Sequence, residues 1–233
     1  MAGNQFEGFP GECLDFFAEL DKNNDKCWFE AHRSIFEEKV MAPARAFVVA
    51  MGERLEMLAP GIHAEPKVNQ SIFRINRDTR FSHDKRPYKT HLGIFFWEGR
   101  RPRMDCSGFY FHLEPGLLFL AAGICLFPKA HLIEFRRSAV HPEHGPSLRE
   151  AVDQVRAKGL EIEGRHYSRL PRGFDPAHPN AELLLYHGLS AYFQTSPAGL
   201  VSSARLVDFC LGHFVDMNPL HRWLVGLTNR LGD

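Results

Sequence analysis

The middle of the chain changes its hydrophobic period, and that change limits the fold more than any other feature of the sequence. Between Ser71 and Leu126, short runs rich in aromatic and β-branched residues are separated by turn residues, a pattern typical of strands. Only Glu114–Gly116 separates the last two runs, which predicts a tight turn. We therefore expect an antiparallel meander of at least four strands, within SIFRIN, THLGIFFWEG, SGFYFHLE and LLFLAAGICL.

The segments on both sides of this region have helical spacing. Residues 1–66 predict helices beginning near Pro10, Asp25 and Pro43, because proline suits the first turn and aspartate the N-cap. Residues 129–233 predict mainly helices, with one short strand within the polar segment LEIEGRHYSRLPRGFDPAHP and closing helices in PNAELLLYHGL, SARLVDFCLGHFVDM and PLHRWLVGLTNRL. With residues 71–126 as the sheet, we expect a single α+β domain over residues 1–233, whose helices pack mainly on one face of the sheet.

The composition indicates an ordinary cytoplasmic protein. Its 233 residues are 44% hydrophobic, which is enough to bury one good-sized core. No apolar run approaches the 18 or so residues that a membrane span needs, and the N-terminus has no signal-peptide pattern. The five cysteines are an odd number and form no C-x-x-C pair, which favours a reduced, intracellular location.

Basic residues concentrate in the stretch FRINRDTRFSHDKRPYKTH, although the whole chain has 28 basic and 28 acidic residues. Residues 1–66 hold twelve acidic and six basic side chains, whereas residues 74–103 hold nine basic and three acidic ones. A strand, a turn and a second strand would gather these cations, which repel one another unless something compensates them. Guanidinium groups suit phosphate and carboxylate. The predicted ligand-binding residues are Arg74, Arg77, Asp78, Arg80, Asp84, Lys85 and Lys89.

Three functions are consistent with this stretch. The leading hypothesis is a compact site for a small phosphorylated or carboxylated ligand, with Asp78 and Asp84 positioning the cations. The first alternative is nucleic-acid binding with Phe81 and Tyr88 as stacking rings, but polyanion-binding proteins usually have a high pI and a broad basic face. The second alternative is a non-catalytic interaction module in which the charges form a structural ion-pair lattice, each surface pair contributing about 0–1 kcal/mol.

A histidine beside a carboxylate adds a candidate for catalysis. On a strand, Tyr110, His112 and Glu114 share one face, so Glu114 could orient His112 as a base. We expect Tyr88 to line the same cavity as these two. No nucleophile accompanies them, so the sequence leaves open whether the protein is an enzyme.

Other motifs of cofactor or metal chemistry fail on inspection. DKNNDKCWFEAH resembles a calcium loop, but Lys26 replaces the required glycine and His32 the bidentate glutamate, so we expect a helix–turn–helix connection. Pro142 breaks the spacing that would align His141 and His144 on one metal. The chain has no P-loop, dinucleotide-binding glycine pattern, G-x-S-x-G or H-E-x-x-H. We therefore predict no metal and no cofactor, and the sequence assigns no oligomeric state.

Several stretches resemble a known family. SIFRINRDTRFSHDKRPYKTHLG, YFHLEPG, NNDKCWFEAHR and PRGFDPAHPNAELL are similar, in this order, to the signatures of the family of domain of unknown function 2461. The resemblance implies one domain, with the basic stretch in its signature block, and implies no reaction, cofactor or partner. Relatives usually have a glycine-rich stretch in place of LAAGICLF, and often a lysine or arginine near the position of His187.

Overall fold

One antiparallel sheet organises the chain. A computed structural model describes residues 5–197 and 199–231, and within these residues the sheet has six strands in the order β1-β2-β3-β4-β6-β5. The prediction of a single α+β domain is confirmed. The strands are β1 (Ile62–His63), β2 (Leu92–Glu98), β3 (Gly108–Glu114), β4 (Leu117–Ile124), β5 (Glu161–Arg165) and β6 (Tyr186–Thr195).

Helices flank the sheet in sequence as predicted. Asp25 caps the second helix, accepting a 2.9 Å hydrogen bond from the backbone N–H of Trp28. Pro43 lies in the first turn of the fourth helix. A π-helical segment, Phe36–Met41, joins the third helix to the fourth. The helices are α1 (Gly11–Lys22), α2 (Lys26–Ala31), α3 (Arg33–Ile35), α4 (Ala42–Leu55), α5 (Lys129–Val140), α6 (His144–Ala157) and α7 (Arg205–Arg230).

The two faces of the sheet differ in what covers them. On one face, Phe109 and Phe111 are completely buried; the ring of Phe109 lies 5.1 Å from Phe214 of α7, and that of Phe111 lies 4.6 Å from Phe47 of α4. We call this the helix-covered face. The opposite face of β2 and β3 carries Phe95, Tyr110, His112 and Glu114, and Tyr110, His112 and Glu114 are partly exposed. We call this the open face, because α4 and α7 pack against the opposite side of the sheet.

The prediction of a strand over SIFRIN is wrong, because this stretch forms only isolated bridges. Ile72 forms one isolated antiparallel bridge with Ile94 on the edge of β2, and Asn76 forms another with Tyr88. The edge of β2 is already paired with β1 at its far end, so residues 71–73 complete that edge and the chain then turns away. The expected pairing between the two arms of the basic stretch is therefore present, but as the single bridge between Asn76 and Tyr88.

The C-terminal prediction is wrong in two places. Residues 129–233 include β5, which was expected, and β6, which was predicted as part of a helix. The apolar run in PNAELLLYHGL forms a short 3₁₀ helix, Ala181–Leu185, and then continues as a strand because β4 and β5 both pair with it. The last two of the three predicted closing helices are one helix, α7, which contains Pro219. None of the helices in the described residues is long and apolar enough to cross a membrane.

Candidate ligand-binding site

The basic stretch is a long loop whose two arms are joined by backbone hydrogen bonds. The N–H of Arg77 donates to the carbonyl of Pro87, and the N–H of Lys89 donates to that of Ile75, each at 2.8 Å. These bonds hold residues 75–77 against residues 87–89. They therefore fix the backbone positions of the charged residues predicted to bind the ligand.

Ion pairs tie the tip of this loop to the first helix. Asp84 accepts hydrogen bonds from Arg77 at 2.6 Å and from Arg86 at 3.0 Å, and Arg86 also reaches Asp21 of α1 at 2.7 Å. The backbone N–H of Arg86, followed by the Arg77 side chain, lowers the pKa of Asp84 well below its usual range. Arg86 was not among the predicted site residues, although it lies in the same basic stretch. This group is an ion-pair network that anchors the loop.

Two more predicted residues pair within the loop itself. Arg80 donates to Asp78 at 2.7 Å, and its side-chain and backbone hydrogen bonds lower the pKa of Asp78 to about 2. The ammonium group of Lys85 donates to the carbonyl of Thr79 at 2.9 Å. The charges of this part of the loop are thus used in local contacts.

Arg74 and Lys89 belong to a different group of cations. Lys89 Nζ lies 5.2 Å from the centroid of the Phe73 ring, and Arg103 Cζ lies 4.4 Å from the same ring. Burial, and then the charges of Arg74 and Arg103, lower the pKa of Lys89. In the described part of the chain, no carboxylate lies within ion-pair distance of any of the three, although Arg103 donates to the carbonyl of Gln70. Sequence reasoning missed Arg103 because it follows β2 and is distant from the basic stretch.

The open face of β3 carries the predicted histidine and carboxylate side by side. Nε2 of His112 lies 3.3 Å from a carboxylate oxygen of Glu114, and the Tyr110 hydroxyl forms a 3.1 Å hydrogen bond with Nδ1 of His112. The ring of His91 stacks on that of His112, with centroids 4.2 Å apart. Burial, followed by the charges of His112 and Lys89, lowers the pKa of His91 to about 4. His91 therefore joins the cations of the loop to the polar residues of β3.

His91, His112 and Glu114 also have the composition of a metal site. One ligand atom of each residue lies within 4.8 Å of the others, and this is the only such three-residue group among residues 5–197 and 199–231. Sequence reasoning missed it because 21 positions separate the two histidines. The alternation of side chains places His91 and Gly93 on one face, and Gly93 pairs with His112 across the strands. A correct strand register would therefore have brought His91 and His112 together.

A cavity of about 330 Å³ opens on the same face. Small residues form its floor, because Gly108, Ala121 and Gly123 occupy neighbouring positions on β3 and β4. Phe73 and Tyr110 belong to its walls, and Tyr110 also contacts His112. The remaining lining residues include Phe95, Met104, Cys106, Phe119, Ile124, Cys125, Glu163 and Ser190. The cavity is mostly apolar, with the polar residues of β3 and the three cations next to it.

Tyr88 does not lie with His112 and Glu114. Its ring stacks on Phe29 of α2 with centroids 4.3 Å apart, and burial is the main cause that raises its pKa. Its backbone N–H and carbonyl both bond the side chain of Asn24, each at 3.0 Å. Asn24 lies in the helix–turn–helix connection that the sequence predicted in place of a calcium loop. Tyr88 is an anchor of the loop in the core.

A second histidine network lies on the helix-covered face. Ser107 Oγ lies 2.9 Å from Nδ1 of His221, whose Nε2 lies 3.0 Å from Glu98. Arg222 donates to both carboxylate oxygens of Glu98 at 2.9 Å. The residue types match a catalytic triad, but Ser107 and His221 are completely buried, so a substrate could not reach the hydroxyl. Burial lowers the pKa of His221 more than Glu98 raises it. This network is structural.

The comparisons with known proteins agree with the resemblance noted in the sequence. A comparison with curated proteins finds no match. The model of a family of conserved hypothetical proteins, DUF2461, matches residues 12–223, which include every residue of the open face described above. The chain therefore belongs to the DUF2461 family.

Proposed function

We propose that the protein binds a small anionic molecule on the open face of its sheet, through Arg74, Lys89 and Arg103. The observation that carries this proposal is the distribution of carboxylates around the basic loop. Arg77, Arg80 and Arg86 each contact a carboxylate. Among the described residues, none of the three cations near Phe73 has a carboxylate within ion-pair distance; Asp78 acts on Arg74 from farther away and is already paired with Arg80. A bound anion would stabilise like charges gathered in this way.

The adjoining cavity suggests the rest of the ligand. About 330 Å³ is near the lower end of the volumes of small-molecule sites, and its aromatic walls suit an apolar or aromatic body. The guanidinium forks of Arg74 and Arg103 suit a phosphate or a carboxylate. The proposed ligand is therefore a metabolite-sized anion with an apolar part. In the metal-free protein, action as an enzyme on this ligand would rely on His112, oriented by Glu114.

Nucleic-acid binding is the alternative that shares these cations. The ring of Phe81 is 94% exposed and has Arg80 beside it at 5.8 Å, so one stacking surface is present at the loop tip. Tyr88, the other ring on which this hypothesis depended, is buried against Phe29. The cytoplasmic location expected from the cysteine usage remains a prediction in either case.

The test combines a panel of anions with single charge removals. Inorganic phosphate, citrate and phenyl phosphate would be titrated by calorimetry into the full chain and into Arg74→Gln, Lys89→Gln, Arg103→Gln and Arg80→Gln. We expect phenyl phosphate to bind best and each of the first three variants to weaken it by roughly 10- to 100-fold, the scale of a charge-assisted hydrogen bond. Arg80→Gln is the matched control, since Arg80 pairs with Asp78 in the loop.

Two results would contradict the proposal. Equal affinity in Arg74→Gln and Arg80→Gln would show that the three cations have no special role. Tight binding of oligonucleotides, with a steep dependence on salt and no response to phenyl phosphate, would favour the nucleic-acid alternative. Melting curves of every variant report whether the fold is retained.

A further inference from the structure

We propose that His91, His112 and Glu114 form a binding site for a single divalent transition-metal ion. Their ligand atoms comprise two imidazole nitrogens and one carboxylate oxygen, all within 4.8 Å of one another. Imidazole is a common ligand of zinc, iron, nickel and copper, and carboxylate completes many such sites. The inference concerns different side chains from the proposed anion site and can fail independently of it.

One edge of this group already has the spacing of metal ligands. Two ligands at about 2.0–2.2 Å from a tetrahedral metal lie about 3.3–3.6 Å apart. Nε2 of His112 and the Glu114 oxygen are 3.3 Å apart. His91 offers its ligand atom within 4.8 Å of the other two, so closing to tetrahedral spacing requires a movement of at most about 1.5 Å. Rotation about the side-chain bonds of a partly exposed histidine allows such a movement.

Tyr110 supplies the outer contact that metal-binding histidines usually have. A metal on Nε2 of His112 requires the proton on Nδ1, and Nδ1 lies 3.1 Å from the Tyr110 hydroxyl oxygen, which can accept it. This contact holds the orientation of the ring. Without a metal, Nε2–H can face Glu114 while Nδ1 accepts from the Tyr110 hydroxyl, and metal binding on Nε2 moves the proton to Nδ1. Gly93 pairs with His112 on the neighbouring strand, and because a Cβ there would lie 3.0 Å from the Tyr110 hydroxyl, the glycine leaves room for this contact.

Two other histidine groups show what distinguishes this one. His166 and His187 are stacked with centroids 4.4 Å apart, yet in the described residues no third ligand joins them. His221 has a carboxylate partner but is completely buried between Ser107 and Glu98. The group at His112 alone combines two imidazoles, a carboxylate and access from solvent, as far as residues 5–197 and 199–231 are concerned.

The position of the site suggests a further ligand for the metal. Three protein ligands leave at least one coordination position open, as in catalytic zinc sites. Lys89 is two residues from His91, and its Nζ lies 5.2 Å from the centroid of the Phe73 ring, which contacts Tyr110, so cations border the open position. An anionic oxygen is the ligand that such a surrounding favours, and an anion held by Arg74, Lys89 and Arg103 could supply it.

The experiment measures metal binding to the chelator-treated full chain in a buffer without phosphate or carboxylate. Zinc would be titrated by calorimetry, and Co²⁺ would report coordination geometry by visible absorption. We expect one ion per chain, with affinity reduced at least 100-fold in His91→Gln, His112→Gln and Glu114→Gln. Tyr110→Phe should reduce it roughly 10- to 100-fold, as removal of such outer contacts does. His166→Gln is the matched control and should bind like wild type.

The outcome is decisive in either direction. Absence of stoichiometric binding, or a loss in His166→Gln as large as in His112→Gln, would overturn the proposal and indicate adventitious surface binding. Glu114→Gln preserves the shape of the side chain, so it serves if the histidine variants do not fold. Anion titrations in the chelated protein separate the two proposals, because the anion site could persist when the metal site fails.

Discussion

Two histidine–carboxylate networks lie on opposite faces of β2 and β3, and they differ in their burial and in the elements that surround them. On the helix-covered face, His221 contacts Ser107 at 2.9 Å and Glu98 at 3.0 Å, and both His221 and Ser107 are completely buried. On the open face, His112 contacts Glu114 at 3.3 Å, and their side chains are 16% and 33% exposed. The first network is closed by α7, which itself supplies His221.

The role of each network is decided by whether a helix covers it, as α7 covers the first one, and not by its residue types. A buried network with all partners in place stabilises the fold, because any lost partner leaves a polar group unsatisfied. A network that reaches solvent contributes less to stability and is free to contact a ligand.

Replacement of each central histidine by alanine should affect stability very differently. His221→Ala removes a buried ring and leaves Ser107 without its partner, so we expect a loss of about 3 kcal/mol in the free energy of unfolding. His112→Ala should cost about 1 kcal/mol or less, as for partly exposed positions away from the core. Urea unfolding of the two variants and wild type measures both values. Equal losses would remove the distinction between the networks.

A single methyl group should disturb the open network alone. A Cβ at Gly93 would lie 3.0 Å from the Tyr110 hydroxyl and 3.3 Å from a ring carbon of Phe73, so Tyr110 must shift from His112. We expect Gly93→Ala to change stability by about 1 kcal/mol, as mild overpacking does, and to shift the His112 imidazole signals in the NMR spectrum. Gly212→Ala is the control, because a Cβ there meets nothing within 4 Å. Unchanged His112 signals in Gly93→Ala would contradict the proposed contact.

The sequence predicted the strands of the central meander well because alternation is a local property. It identified the runs that contain β2, β3 and β4 and the shared face of Tyr110, His112 and Glu114. It failed at β6, where a leucine-rich run has no clear period and long-range pairing with β4 decides the structure. Local spacing cannot distinguish a short buried helix from a buried strand.

The candidate site was predicted in composition but not in grouping. The charged stretch indicated that cations would gather, yet nothing local separates Arg77, which pairs with Asp84, from Arg74, which has no carboxylate within ion-pair distance among the described residues. Arg103 and His91 join the open face through contacts across the sheet edge, which depend on register. Tyr88 was misplaced because its ring turns toward α2 to fill the core beside Phe29.

The smallest expected effect concerns the ion pairs that hold the loop, and it is a pH effect. The pKa of Asp84 is lowered in the folded protein by the N–H of Arg86 and the side chain of Arg77, so the folded state binds fewer protons than the unfolded state at acidic pH. This contribution to stability is complete above the ordinary carboxylate pKa and is lost as the pH falls through and below it. We expect the melting temperature of wild type to fall more between about pH 5 and 2 than that of Asp84→Asn.

Asp78 provides the comparison that interprets this result. Its pKa is lowered to about 2 by Arg80, but this pair lies two residues apart and could form partly in the unfolded chain. The Asp84 network instead extends through Arg86 to Asp21 of α1, a contact that only the folded chain makes. Asp78→Asn should therefore change the pH dependence of melting less than Asp84→Asn does. Because these ion pairs hold the loop, acid should also disturb the amide NMR signals of Arg77 and Lys89, which bond across the loop, before those of residues around His221, which is held by α7. Simultaneous changes in both regions would mean that the loop and the helix-covered face unfold as one unit, and the two networks would then share a single stability.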